Sequence, residues 1–196
     1  MKMAKFEFRH GFKTWCEKMA LEYRQDMGLQ PHSPLNPFAF AKHMGVHILR
    51  VEQLPDLGAD IRHQLTTTHS NCWSALTLTL GKTILVILNS AHPPKRTASN
   101  ITHEISHVVL NHKPAHIEVM DNDLLILKNY DKNQENEADW LSGCLLLPRP
   151  ALLAIRTDRL TTEAASNKYG VSTEMLRFRF NVSGVDKQMN RALRRI

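Results

Sequence analysis

Residues 103–107 read His-Glu-Ile-Ser-His. On a helix, histidines four apart lie on one face, one turn above each other, so both imidazoles can bind a single metal ion. Glu104 then stands about 100° round the helix from His103, where its carboxylate can reach a metal-bound water without taking a coordination position. A divalent ion lowers the pKa of its water toward 7, and a base beside it takes the proton. Attack on a peptide carbonyl needs that pairing. Ile101, Ile105, Val108 and Val109 supply an apolar stripe, Ser99 or Asn100 is a candidate N-cap, and Pro93-Pro94 fence off a strand upstream. The motif is therefore expected on a helix.

A catalytic zinc site takes three protein ligands and keeps one position open. The best third donor lies in Glu135-Asn136-Glu137-Ala138-Asp139-Trp140. Glu137 heads an apolar face with Ala138, Leu141, Cys144 and Leu145 and is the expected ligand. Glu135, two residues earlier and about 200° away, is expected to face solvent and is the alternative. Asp139 is a candidate to orient a ligand histidine from behind. Two imidazoles and a carboxylate suit Zn²⁺ but also accept Mn²⁺ or Fe²⁺. An oxyanion needs a donor facing it. Tyr130, Arg96, His112 and His116 are candidates, with Tyr130 carried forward as the transition-state stabiliser; His112, five residues past His107, is expected off the metal face.

A chain of 196 residues supports one good core with a small appended module. Its first ten residues carry charges throughout and no apolar run, so no signal peptide is expected there, and no aliphatic run approaches the roughly 20 residues needed to span a bilayer. Three scattered cysteines without a C-x-x-C point to a reducing cytoplasm rather than to disulfides or a cysteine zinc knuckle. Residues 1–148 are neutral, with 15 basic and 15 acidic side chains, whereas residues 149–196 hold 10 basic against 4 acidic. The whole excess of +6 thus lies in the last quarter, so an anionic partner or a solvated basic tail is expected there.

Helices are expected over 11–30 and about 37–44, the latter ending at Gly45. A strand is expected at His47–Val51 and a hairpin at Trp73–Leu80 and Thr83–Leu88 around Gly81-Lys82, followed by the histidine helix. Residues 113–134 show no clear period, and a further helix is expected over about 135–147, ahead of Pro148. The fold class is α+β: a small, largely antiparallel sheet packed on helices, with a core over 1–148 and a basic helical module over 149–196.

The H-E-x-x-H block followed by E-A-D-W-L-S-G-C-L-L-L-P resembles the ImmA/IrrE metallopeptidases. Trp73–Thr77, Val86–Asn89, Arg96, Pro37–Ala41 with Gly45-Val46, and a helix-turn-helix-like stretch from Ser166 to Arg179 are similar to that family's other landmarks, so the likeness covers roughly residues 35–185. Leu141 and Leu147 stand where the family often has Phe and Met. The resemblance implies a zinc-dependent endopeptidase that cuts a helix-turn-helix transcriptional repressor, with His103, His107 and Glu137 as ligands and Glu104 as general base. It also offers the strand before the helix, Thr83–Asn89, as a place for substrate backbone to add by β-pairing, or as an ordinary core strand. In the C-terminal module, Arg177 and Arg179 are candidate phosphate or partner contacts. The alternative reading is a DNA- or repressor-binding regulator with a non-catalytic metal site.

Overall fold

The computed structural model describes residues 8–55, 57–113, 116–119, 125–128 and 131–193. In chain order the elements are α1 (Phe12–Asp26), α2 (Pro37–His43), β1 (Val46–Arg50), α3 (Ala59–His63), β2 (Ala75–Leu80), β3 (Thr83–Leu88), α4 (Pro94–Val109), β4 (His116–Val119), β5 (Leu125–Lys128), α5 (Lys132–Leu146), α6 (Arg149–Thr157), α7 (Thr162–Tyr169), α8 (Thr173–Ser183) and α9 (Val185–Leu193). The fold is α+β, as the sequence leads one to expect. β3 is the central strand of a three-stranded sheet ordered β1-β3-β2. It pairs antiparallel with β2 through the Gly81 turn, where φ is +63°, and parallel with β1, Val46 opposite Ile84. The stretch whose period is unreadable in sequence holds a separate antiparallel pair, β4 with β5.

Two helix starts differ from expectation. α4 begins at Pro94, upstream of Ser99 and Asn100, because a proline at the first helical position forfeits only an N–H that would lack a partner anyway. Asn100 instead meets His92 Nδ1 at 3.2 Å. α5 begins at Lys132, where the Asp131 side chain accepts from the Asn133 backbone N–H at 2.8 Å, a standard N-cap.

α5 is the central strut. Ala138 and every residue from Trp140 through Pro148 are buried. α1 covers one side and α4 another, and the main core gathers Phe12, Cys16, Phe40, Val86, Leu88, Ile101, Ile105, Leu141 and Leu145 around it. Leu146 and Leu147 pass into a second core shared with Leu152, Ile155, Tyr169, Val171, Leu176 and Val185 of the C-terminal helices. Carbonyls in a helix's last turn lack intrahelical donors and attract positive charge. Two buried arginines answer that need: Arg24 donates from Nη2 to Leu145 O at 2.8 Å, and Arg179 donates from Nε to Leu147 O at 3.1 Å. Gly143 makes room for the second, since a Cβ there would lie 3.0 Å from Arg179 Cδ.

The C-terminal helices include the α7–Gly170–α8 turn, with Gly170 at φ +64° and Ser172 capping α8 by accepting from Met175 N–H at 3.1 Å. Contacts tie them to the rest of the molecule: Tyr169 donates to His32 O at 3.0 Å, and Lys95 donates to Ser166 Oγ at 2.7 Å. Arg179 is corrected as a phosphate or partner contact. It is fully buried and also ion-pairs with Glu17, so packing rather than solvent claims its charge. Arg177, two residues earlier on α8, is exposed. Among the described residues no single helix is long and apolar enough to cross a membrane.

Removing the Arg179 charge strands Glu17 and the Leu147 carbonyl. Arg179→Met is therefore expected to lower unfolding free energy by about 3 kcal/mol, the lower end for a broken buried pair, whereas Arg177→Ala stays within about 0.5 kcal/mol. Urea titration of the two variants checks this; equal effects would remove the structural role given to Arg179.

Candidate metal centre

α4 and α5 run antiparallel, and three contacts record their register. Thr102 Oγ1 and Ser142 Oγ meet at 2.8 Å, His103 Nδ1 meets Asp139 Oδ1 at 2.9 Å, and His107 Nε2 lies 3.6 Å from Glu135 Oε1. Glu135, Asp139 and Ser142 are four and three residues apart, so they form one stripe of α5 that faces α4. His103 Nε2 sits 3.2 Å from Glu135 Oε2 and 3.0 Å from His107 Nε2.

These three donors lie within 4.8 Å of one another. Two imidazole nitrogens and a carboxylate oxygen are all electron-pair donors, and nothing but a shared cation or proton makes their convergence favourable. Their chemistry fits a divalent metal ion. Tetrahedral ligation at roughly 2.0–2.1 Å puts neighbouring ligand atoms about 3.3–3.4 Å apart, close to the 3.0, 3.2 and 3.6 Å found here. Three protein ligands leave one position open. Both histidines and Glu135 are partly exposed, so that position can meet solvent or substrate.

The third carboxylate differs from expectation. Glu135 faces the imidazole pair, while Glu137, about 200° round α5, meets His112 Nε2 at 3.2 Å instead. An apolar face was a poor guide because α5 is buried on two sides: the face shared by Ala138, Leu141 and Leu145 is only one of them. The signal that could have found Glu135 is its spacing of four to Asp139. His112, expected off the metal face, stacks edge-on against His107 with ring centroids 5.0 Å apart. Arg96 donates to Ser74 Oγ at 3.2 Å and so ties the start of α4 to the strand ahead of it. Tyr130 lies outside the described residues, as do the side-chain surroundings of His116.

Glu104 projects toward the sheet, where one carboxylate oxygen accepts a hydrogen bond from the Thr77 hydroxyl of β2. Among the described residues β2 is an edge strand; β3, the strand offered by the resemblance for β-addition, is paired on both sides. Its ladder is therefore filled. Burial raises the Glu104 carboxyl above the ordinary range, assisted by the nearby Glu135 charge and opposed by Thr77 and His103. A raised carboxyl is a stronger base. Burial works against charge on His103 too, but the Asp139 hydrogen bond and the charges of Asp139, Glu104 and Glu135 outweigh it and move its pKa up. His107 is pushed down to about 4 by burial and then by His103 and His112.

Because His107 is depressed from 6.5 to about 4, its neutral form stabilises the metal-free fold above the unfolded value, and that contribution is lost as pH falls from 6.5 toward 4. His103, raised, acts the other way: it stabilises below 6.5 and loses that as pH climbs through its folded value. Histidine NMR titration of metal-free protein is expected to show His107 changing charge near pH 4, well below His103. A reversed order would contradict the assigned electrostatics.

No curated protein matches the chain. Among solved structures, a Mycobacterium tuberculosis transcriptional regulator is similar at 15% identity and a TM-score of 0.49, covering 86% of this chain and 46% of that one. The chain thus corresponds to less than half of that protein's length. The family model for peptidase M78, the IrrE N-terminal-like domain, matches residues 42–181, which hold both the histidine helix and the acidic helix that meets it. The chain therefore belongs to the IrrE N-terminal-like, peptidase M78 family and carries a metallopeptidase-like domain.

Proposed function

We propose that this protein is a zinc-dependent endopeptidase, with His103, His107 and Glu135 as the metal ligands and Glu104 as general base. The observation that carries the reading is the convergence of three donors from α4 and α5 beside a partly buried carboxylate that takes no part in the donor set. A structural metal site has no use for such a base. A divalent ion held by these donors supplies Lewis-acid polarisation of a carbonyl and of water.

The protein's own groups do the rest. Glu104 accepts a proton from the attacking water and returns it to the amine nitrogen of the leaving strand. Thr77 holds that carboxylate to β2, so the base is aligned with the edge strand. Substrate backbone adds along β2, whose outer N–H and C=O groups are the ones β3 leaves unpaired. Asp139 accepts the Nδ1 proton of His103 and keeps its Nε2 lone pair on the donor cluster.

The proposed substrate is a helix-turn-helix transcriptional repressor, by the family resemblance. The two apolar cores, meeting at Leu145 and Leu146, support a division into a peptidase core over 1–148 and a helical module over 149–196. With Arg179 committed to packing, the module's proposed role is to brace α5 and to offer a protein-binding surface near Arg177, rather than to read DNA.

Metal analysis and cleavage of a candidate repressor test this together. Glu104→Gln is expected to retain about one equivalent of zinc and to lose roughly 10²–10⁴-fold in kcat/KM, and chelation is expected to silence the wild type. Undiminished cleavage by Glu104→Gln would remove the base; a metal-replete protein that cleaves nothing would favour a regulator with a non-catalytic site.

A further inference from the structure

His103 and His107 are ligands that face each other through Nε2, so each must carry its proton on Nδ1 and give it to something. For His103 that partner is Asp139. For His107 it is His112: the two Nδ1 atoms lie 3.0 Å apart. Two nitrogens can share one proton but not two, so His112 Nδ1 must be the acceptor. A neutral His112 then carries its proton on Nε2, which faces Glu137 Oε2 at 3.2 Å. The only assignment that satisfies every atom is a relay in one direction, from His107 Nδ1–H to His112 Nδ1, and from His112 Nε2–H to Glu137.

The backbone explains how a residue five positions downstream comes back to the metal face. α4 ends at Val109 with Leu110 as its C-cap, and Asn111 adopts the left-handed conformation with φ +53°. Asn111 N–H donates to Val108 O at 3.1 Å and His112 N–H donates to His107 O at 3.0 Å. These two bonds are the Schellman closure of a helix, for which Asn is the usual substitute for Gly. They fold His112 over the last turn and onto the ligand histidine. The His112 side chain is only 7% exposed, so its ring is held closely against His107.

We propose that His112 and Glu137 are positioning residues that fix the Nδ1–H tautomer and ring orientation of His107, as Asp139 does for His103. The metal-binding residues are thus held by two carboxylates of α5, one direct and one relayed through an imidazole. Neither His112 nor Glu137 is a ligand: both His112 nitrogens are engaged, and Glu137 is turned to the opposite side of α5 from Glu135. This inference rests on His103, His107 and Glu135 being the metal-binding set.

Two measurements on the full chain test it. In metal-free protein, two-bond ¹H–¹⁵N correlation reads the tautomer of His107; it is expected to be Nδ1–H in the wild type and to become mixed or Nε2–H in His112→Leu. Zinc affinity, read by competition with a chromophoric chelator, is expected to fall about 10–100-fold in His112→Leu, the usual cost of removing such a partner. His112→Asn, whose side-chain oxygen stands where Nδ1 was, is expected to recover most of that loss. Asn111→Gly is expected to bind zinc as the wild type does, and Asn111→Val to bind as weakly as His112→Leu, because only the glycine keeps the left-handed turn. Wild-type tautomer and affinity in His112→Leu would overturn the relay while leaving the ligand set intact. A wild type that binds no zinc would overturn both.

Discussion

Thr102 and Ser142 share a hydrogen bond buried between α4 and α5, and every geometric relation at the site follows from the register that bond marks. Shift α5 by one residue and its stripe of Glu135, Asp139 and Ser142 rotates by about 100°, carrying both carboxylates away from the histidines. Apolar packing alone would tolerate neighbouring registers. A buried hydroxyl pair does not: Thr102 keeps its carbonyl partners at Ala98 and Ser99, but Ser142 loses its partner across the interface in a buried setting. Ile101 and Ile105 anchor α4 in the core that also holds Leu141 and Leu145 of α5, and the hydroxyl pair selects which residues meet.

The same helix must be held from its other side. α5 is covered on both sides for much of its length, so its C-terminal carbonyls have no water to turn to. Arg24 from α1 and Arg179 from α8 supply the missing donors, and Glu17 balances the second of them. The C-terminal helices are therefore part of what holds the site rigid. Their basic excess is read differently once Arg179 is seen inside the molecule: one of the charges that sequence assigns to a partner belongs to the core.

The site has two unlike flanks. Asp139 reaches His103 from an exposed position, whereas the His112–Glu137 pair reaches His107 from a nearly closed one. Glu104 lies on a third side, half-buried against β2. The donor cluster, the carboxylate proposed as base and the edge strand are consequently brought together by three different elements, with the open side left where Glu135 and Asp139 meet solvent.

Much of this is legible in the chain itself. The H-E-x-x-H spacing determines that two imidazoles share a helical face and that a carboxylate stands beside them, since both facts are local to one turn of helix. Alternating apolar runs around Gly81-Lys82 determine the hairpin for the same reason. Which glutamate completes the donor set is not local. Glu135 and Glu137 lie on opposite sides of one helix, and only the packing of α5 between α1 and α4 decides which side faces the histidines. The return of His112 depends on the left-handed turn at Asn111 and on Glu137 arriving from another helix; the burial of Arg179 depends on carbonyls 32 residues away. Sequence by itself specifies chemistry within a turn of helix, where geometry is periodic; tertiary structure decides which periodic faces meet, because that choice is made by burial and register across the whole core.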